Sequence, residues 1–333
     1  MTGNADHSSK GQGRGKRMAV KPRTTAKKAK GPVDPLQGVR LTHPDRVVYP
    51  DAGITKRDVA EYFVAVAPWM LPHLAGRPLS LVRCPAGMAG TCFYQKQPPQ
   101  GLPASVKLIK IQIKDTLTVN TYIEDVEGLL ALVQFGVLEI HAWQSQADDI
   151  ERPDRLVFDL DPGPDVEWSR VIDTALLVRD FLKHLGLTSF VKTTGGKGLH
   201  VVVPIARSRS WDEVKDFCHG IATVITGADP NHFAATMSKA ARPGKIYIDF
   251  LRNERGSTAI APYSTRARDG APVSMPLSWT ELRRVKSGAA FTVANAPAYL
   301  KKRKRDPWEG YGRLKQRITD AAVKSIAKLR SSR

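Results

Sequence analysis

Arg155-Leu156-Val157-Phe158-Asp159-Leu160-Asp161-Pro162-Gly163 is an apolar run that ends in two acids one residue apart and is closed by Pro-Gly. Alternation with period two places Asp159 and Asp161 on one face at the end of a strand. Two adjacent carboxylates repel each other, so the pair is either a solvated turn or part of an oxygen cage for a hard divalent cation. A third acid is needed to choose. Asp249 offers one, in the strand-like run Lys245-Ile246-Tyr247-Ile248-Asp249-Phe250-Leu251, where a lone acid is costly to bury unless a cation meets it.

After the acid pair, Asp165 is expected to cap a helix running to Gly186, with Trp168, Ile172, Ala175, Leu176, Val178 and Leu182 as its buried stripe. Strands over 189–192 and 199–204 flank Thr193-Thr194-Gly195-Gly196-Lys197-Gly198, and Ser210 with Glu213 makes a capping box for a helix to about Ile225. The Asp249 strand leads into a long loop over 253–276, then a short helix near 279–286. Before the acid pair, Thr55 and Asp58 resemble a capping box ahead of Val59, Tyr62, Phe63, Val66 and Met70 at helical spacing. Strands over 79–83 and 92–97, a β-ribbon over 106–113 and 117–123, an Asp125-capped helix over 126–135 and a strand over 137–143 follow. This order argues for an α+β, or mixed α/β, fold with helices on one face of the catalytic sheet. The expected division is a disordered basic tail 1–34, a body 35–310 with a smaller lobe over 35–145 and a core over 146–300, and a basic C-terminal helix in 311–333.

Among the 333 residues 42% are hydrophobic, enough for a real core, but residues 1–34 hold nine Lys and Arg against Asp6 and Asp34 with almost nothing apolar. The formal net charge of +19 favours a polyanionic partner. Cys84, Cys92 and Cys218 have no zinc-ligand spacing and are expected as buried small hydrophobes in a reducing compartment. The longest charge-free apolar stretch, 128–138, is far too short to span a membrane, which leads to the expectation of a soluble cytoplasmic protein.

Gly195-Gly196-Lys197-Gly198 forms a turn whose N–H groups can converge on an anion, with Lys197 as a point charge and Thr194 as a hydroxyl donor. It lacks the Walker spacing and is followed by a strand, so a flexible hairpin is the plain alternative. His200, just past the glycines, can bring an imidazole to the same anion. His141 in Glu139-Ile140-His141-Ala142-Trp143 is equally explained as a satisfied core residue. Arg252 and Arg266 can each clamp a phosphate, against the plain reading of solvated surface charge.

In order along the chain, Phe158-Asp159-Leu160-Asp161-Pro162, Thr194-Gly195-Gly196-Lys197-Gly198-Leu199-His200 and Ile248-Asp249 with Arg252-Asn253 resemble the three motifs of the archaeo-eukaryotic primase superfamily, in its bacterial ligase D polymerase-domain branch. Leu41-Thr42-His43-Pro44-Asp45-Arg46, Phe93-Tyr94-Gln95-Lys96 and Asp306-Pro307-Trp308 are similar to that branch as well, so the resemblance covers about 38–310. It implies a primase-type core with an RRM-like sheet. By the same resemblance Asp159, Asp161 and Asp249 bind two Mn2+ or Mg2+ ions beside His141, while Thr194, Lys197, His200, Arg252 and Arg266 hold an NTP or dNTP. Tyr94 stacks on a template base and Lys96 meets a DNA 5′-phosphate. The implied activity is template-directed extension of 3′ ends in non-homologous end joining, with manganese and ribonucleotide use. The implied partners are Ku and, since no Lys-x-Asp-Gly motif occurs, a separate ATP-dependent ligase. The rival readings are a non-catalytic DNA-end-binding scaffold and a sugar-nucleotide transferase sharing the Asp-x-Asp.

Overall fold

The computed structural model describes Leu36 and residues 39–113, 115–236, 242–303 and 305–331. The basic arm 1–34 lies outside them, as does Lys304 of the basic run 301–305. A small hairpin, β1 (Val47–Tyr49) and β2 (Ile54–Thr55), feeds α1 (Lys56–Leu74). The Thr55–Asp58 capping box is complete: each side chain accepts a hydrogen bond from the other's backbone N–H. Next come β3 (Leu79–Arg83), β4 (Phe93–Gln95), β5 (Val106–Ile113), β6 (Thr116–Ile123), α2 (Val126–Gln134) and β7 (Val137–Trp143). Asp125 caps α2 through Gly128 N, and Gly136 ends it at φ 74°, a left-handed turn that a side chain resists. The second half contains β8 (Arg155–Pro162), α3 (Trp168–His184), β9 (Phe190–Thr193), β10 (Leu199–Pro204), α4 (Trp211–Ala228), β11 (Phe233–Ala234) and β12 (Ile246–Asp249). It closes with β13 (Thr258–Ile260), β14 (Pro276–Leu277), α5 (Trp279–Leu282), α6 (Ala296–Lys301) and α7 (Asp320–Ser331).

Two sheets organise these elements into the expected mixed α/β architecture. The first runs β13-β7-β3-β6-β5, with β4 sharing the edge of β3 beyond the point where β6 leaves it. The second runs β11-β12-β8-β10-β9-β14 and is antiparallel apart from β11 and β12. Its register sorts the side chains. Phe158 pairs with Val201 and Leu160 with Ile248, and this face joins the main core with Val171, Ala175, Val214 and Ile221 of α3 and α4. The opposite face carries Val157, Phe190 and Val202, packed on Trp308 and on Ala259 of β13. The same face, towards the other end of the strands, holds the charged row described below.

Arg155, at the start of β8, ties the sheets together: its guanidinium donates to Gln144 Oε1 at 2.7 Å and to the carbonyls of His73 and Trp143. Beside it Arg77 grips Asp154 through two hydrogen bonds of 2.6 and 2.7 Å, with the Arg77 side chain buried.

Three expectations are corrected. Asp165 is not the cap of α3: it sits at φ 63°, and the cap is Glu167, which makes no side-chain capping bond. The chain stays paired past Pro162, because Gly163 N donates to Lys245 O and Gly244 N to Pro164 O, so the helix starts later. A side chain at Gly163 would meet Arg242 O at 2.0 Å, so only glycine fits there. Within the supposed loop 253–276, β13 pairs antiparallel with β7, Ile260 opposite His141. Finally, Cys84 and Cys92 are joined as a disulfide, leaving Cys218 as the buried free thiol. The pairing follows from the β3–β4 hairpin: Arg83 stands opposite Phe93, which makes Cys84 and Cys92 the next pair along. Among the described residues no helix is long and apolar enough to cross a membrane.

Candidate active site

Across β12, β8, β10 and β9 the register sets Asp249 opposite Asp159, Asp159 opposite His200, and His200 opposite Lys192. Directly paired residues share a face, so one lateral row carries two acids, an imidazole and a lysine amino group that burial biases towards its neutral form. Asp161, two residues along β8, lies on the same face at the exposed mouth. Facing this row, the other sheet brings His141 of β7 and Thr258 to Ile260 of β13. Between them is a cleft of about 450 Å³ that Asp161, Asp159, His200, Thr194, Lys197, Arg252, Arg266, Arg268 and His141 help to line. An apolar groove between α3 and α4 has a similar volume but carries no such array of acids and cations.

Each acid of the row meets an arginine. Arg252 bridges two acids, with Nε 3.2 Å from Asp159 and Nη2 3.1 Å from Asp249, and Arg242 Nη1 lies 3.1 Å from Asp161. His200 Nε2 is 3.3 Å from the other oxygen of Asp159. Burial opposes the charged form of Asp159, yet His200 and Arg252 outweigh it and hold the carboxyl well below its usual range. Asp161 moves the other way, pushed up by burial and by the repulsion of Asp159, and Asp249 is likewise raised, chiefly by burial. His200 is held down to about 4 by burial and then by the nearby Lys192, so it is neutral at neutral pH. The row therefore holds more carboxylate than its arginines fully offset, and three oxygen-rich acids on one face suit a hard cation. As placed, no three acidic, histidine or cysteine side chains among the described residues converge on one ion.

The glycine turn is corrected in one respect. The N–H groups expected to converge on an anion are engaged inside the protein: Gly196 and Gly198 donate to Thr194 Oγ1, Thr194 to Gly198 O, and Gly195 to Gly288 O. Thr194 is thus the knot of the turn, and Lys197, Arg266 and Arg268 are the cationic side chains that line the cleft beside it. Arg266 in turn donates to Thr194 O at 2.7 Å and lies 3.0 Å from Glu139.

Glu139, Lys192, Arg242 and Arg268 received no role in the sequence reading. Glu139 is buried and held down to about 2, since His141 and Arg266 overcome the cost of burial. An ionised carboxylate only accepts, so its 2.8 Å contact fixes the proton on His141 Nε2 and leaves Nδ1 for another partner. Lys192 is fully buried and donates to Ser274 Oγ at 2.7 Å. Counting back from the glycine turn pairs residue 192 with 200, a signal the sequence did contain.

Tyr94 stands at the rim of the cleft, 49% exposed, with its hydroxyl 2.8 Å from Thr258 Oγ1 and its ring edge-on to His141 at 5.8 Å. Lys96 is exposed just beyond β4, outside the cleft lining. A second, smaller cleft of about 200 Å³ gathers His43, Arg46, Lys56 and Arg83. The Lys56 amino group there contacts three oxygens, of Thr42 and Gln134, none belonging to a carboxylate.

The family model of the LigD primase-polymerase domain matches residues 55–308. The chain is 37% identical over 292 residues to the multifunctional non-homologous end joining protein LigD of Pseudomonas aeruginosa, covering 87% of this chain and 35% of that protein. It is 30% identical over 272 residues to the bifunctional non-homologous end joining protein LigD of Bacillus subtilis, covering 81% and 43%. The chain therefore spans well under half the length of these relatives. Among solved structures it is similar to the polymerase domain of Mycobacterium tuberculosis ligase D in complex with DNA, at a TM-score of 0.74 and 31% identity over 80% of this chain and 95% of that one. On these grounds the chain belongs to the LigD primase-polymerase family, a family of DNA-directed nucleotidyltransferases.

Proposed function

We propose that this chain extends 3′ ends at broken or gapped DNA by template-directed addition of ribo- or deoxyribonucleotides, as the polymerase step of non-homologous end joining. The observation that carries the reading is the single cleft in which Asp159, Asp161 and His200 face Lys197, Arg252, Arg266 and Arg268. Phosphoryl transfer needs little covalent chemistry from the protein, so an acidic row opposite a cationic wall suffices for positioning and charge stabilisation.

In this reading Asp159, Asp161 and Asp249 hold two Mn2+ or Mg2+ ions, whose chemistry is to acidify the primer hydroxyl and offset charge on the departing pyrophosphate. Lys197, Arg266 and Arg268 receive the triphosphate. Arg252, released from its carboxylates, turns to the same phosphates, and neutral His200 donates through Nε2–H. Glu139 holds both His141 and Arg266, which keeps these two cleft-lining side chains in fixed relation. Ku and a separate ligase complete the proposed pathway. Primer extension on a gapped duplex tests the proposal, with metal and nucleotide varied; no addition with either ion and any nucleotide would leave only DNA-end binding.

Recognition of the 5′-phosphate is assigned to Lys96, with Tyr94 stacking on an unpaired template base, because alternation puts the two on one side of the strand. The second cleft gives this a rival, since a nearly buried Lys56 without a carboxylate partner, beside Arg46 and His43, calls for an anion. Lys96→Ala is expected to remove the preference for phosphorylated over unphosphorylated gapped DNA, worth roughly 1–2 kcal/mol for one charge-assisted contact. Paired binding titrations read it out. If the preference survives in that variant and vanishes in Arg46→Ala, the phosphate belongs to the second cleft.

A further inference from the structure

Away from the catalytic cleft, α5 and the chain after it meet α6 around a pocket of about 530 Å³. Arg284, Lys286, Lys302 and Arg303 line it against a single acid, Glu281. The first three are exposed at its rim, whereas the Arg303 side chain is 7% exposed. That buried guanidinium pairs with Glu281 Oε1 through Nη2 at 3.1 Å, while Nε and Nη1 lack a hydrogen-bond partner. A buried cation with unmet donors is expensive, and Glu281 offers little more, because it already accepts from Ser278 N and its Oε1 is 3.0 Å from the Tyr299 hydroxyl. What satisfies such a group is an oxyanion presenting several acceptors at once. Tyr299 is not free to stack on a base, since Arg303 covers its ring at 4.6 Å and Phe291 packs on it at 4.7 Å. The pocket therefore selects charge rather than a nucleobase.

We propose that this pocket is a further phosphate-binding site, with Arg303 as its buried anchor and Arg284, Lys286 and Lys302 as its rim. Its ligand is a phosphate oxyanion, either free polyphosphate or the backbone of a nucleic-acid strand. The site is joined to the catalytic cleft through one segment: just past Lys286, Gly288 accepts from Gly195 N, and a side chain at Gly288 would strike Gly196 O at 2.5 Å. An anion held by Lys286 thus braces the loop that presents Lys197. The proposal stands on the pocket itself and requires no nucleotide addition.

The test titrates the whole chain, metal-free, with inorganic pyrophosphate in one arm and a short single-stranded oligonucleotide without terminal phosphates in the other. The nitrogen-15 resonance of Arg303 Nε–H is followed. It is expected to shift saturably with one probe or both, and the responding probe identifies free polyphosphate or strand backbone as the source. Arg284→Gln combined with Lys286→Gln, at exposed positions that leave the fold intact, is expected to weaken that binding at least tenfold. Absence of a saturable shift with either probe overturns the proposal, as does a shift whose midpoint the double variant leaves unchanged. Because nothing is turned over, a chain inactive in primer extension could still pass, and an active one could fail.

Discussion

Asp159→Asn and Asp249→Asn are each expected to slow nucleotide addition roughly 10³-fold or more, about 4 kcal/mol of transition-state stabilisation, while affinity for a gapped duplex holds or rises. Asparagine preserves the shape of each side chain and removes its charge. Asp159 is the hub of the row, in contact with both His200 and Arg252, so its loss deprives the cleft of an anionic ligand and leaves Arg252 anchored only by Asp249. Removing an acid also lessens repulsion of the DNA backbone, which is why binding should not suffer. Single-turnover extension at saturating DNA and nucleotide separates the two effects. Extension within tenfold of the parent in both variants would mean that the row is not the catalytic one.

Arg77→Met is expected to cost about 3–5 kcal/mol of stability at pH 7, because it strips a buried carboxylate of its bidentate partner while methionine fills much of the space. The pH dependence follows from Asp154. Burial pushes its carboxyl up, but Arg77 outweighs burial and lowers the folded value below the ordinary 3.8. A depressed carboxyl stabilises the fold fully above its unfolded pKa and loses that contribution as pH falls through the folded one. The gap between parent and variant should thus be widest near neutrality and narrow below about pH 4. Urea melts at pH 7 and at successively lower pH give the comparison. A difference under 1 kcal/mol at pH 7, or one that grows with acid, would show that the pair is not a stabilising one.

Where local chemistry decides, the sequence was readable. Both expected capping boxes, at Thr55–Asp58 and Ser210–Glu213, are made, because each closes within four residues; a third, Ser278–Glu281 at α5, went unread. Period-two alternation was enough to place Asp159 and Asp161 on one face, and Asp249 and His200 join them because every intervening strand pairs without a slip. What escaped depends on distant partners. Glu139 looks like an ordinary strand acid until Arg266 arrives from 127 positions away, and Lys192 is only a strand lysine until Ser274 meets it. Arg268 and Arg242 lie in chain segments without periodicity, so nothing local assigns them a direction. The glycine turn misled for a different reason. Glycines make convergent N–H groups possible, and here Thr194 Oγ1 takes two of them.

The placement of β13 bears on how the chain comes off the ribosome. Its partner β7 ends at Trp143, yet the strand that covers that edge begins at Thr258. At about 5–20 residues per second, the interval takes roughly 6–23 s. For that time β7 presents a free row of backbone donors and acceptors, the kind of template on which chains pair with the wrong neighbour. Slow synthesis, or a pause between these positions, therefore lengthens exposure of an adhesive nascent edge, and the yield of native protein becomes sensitive to translation rate.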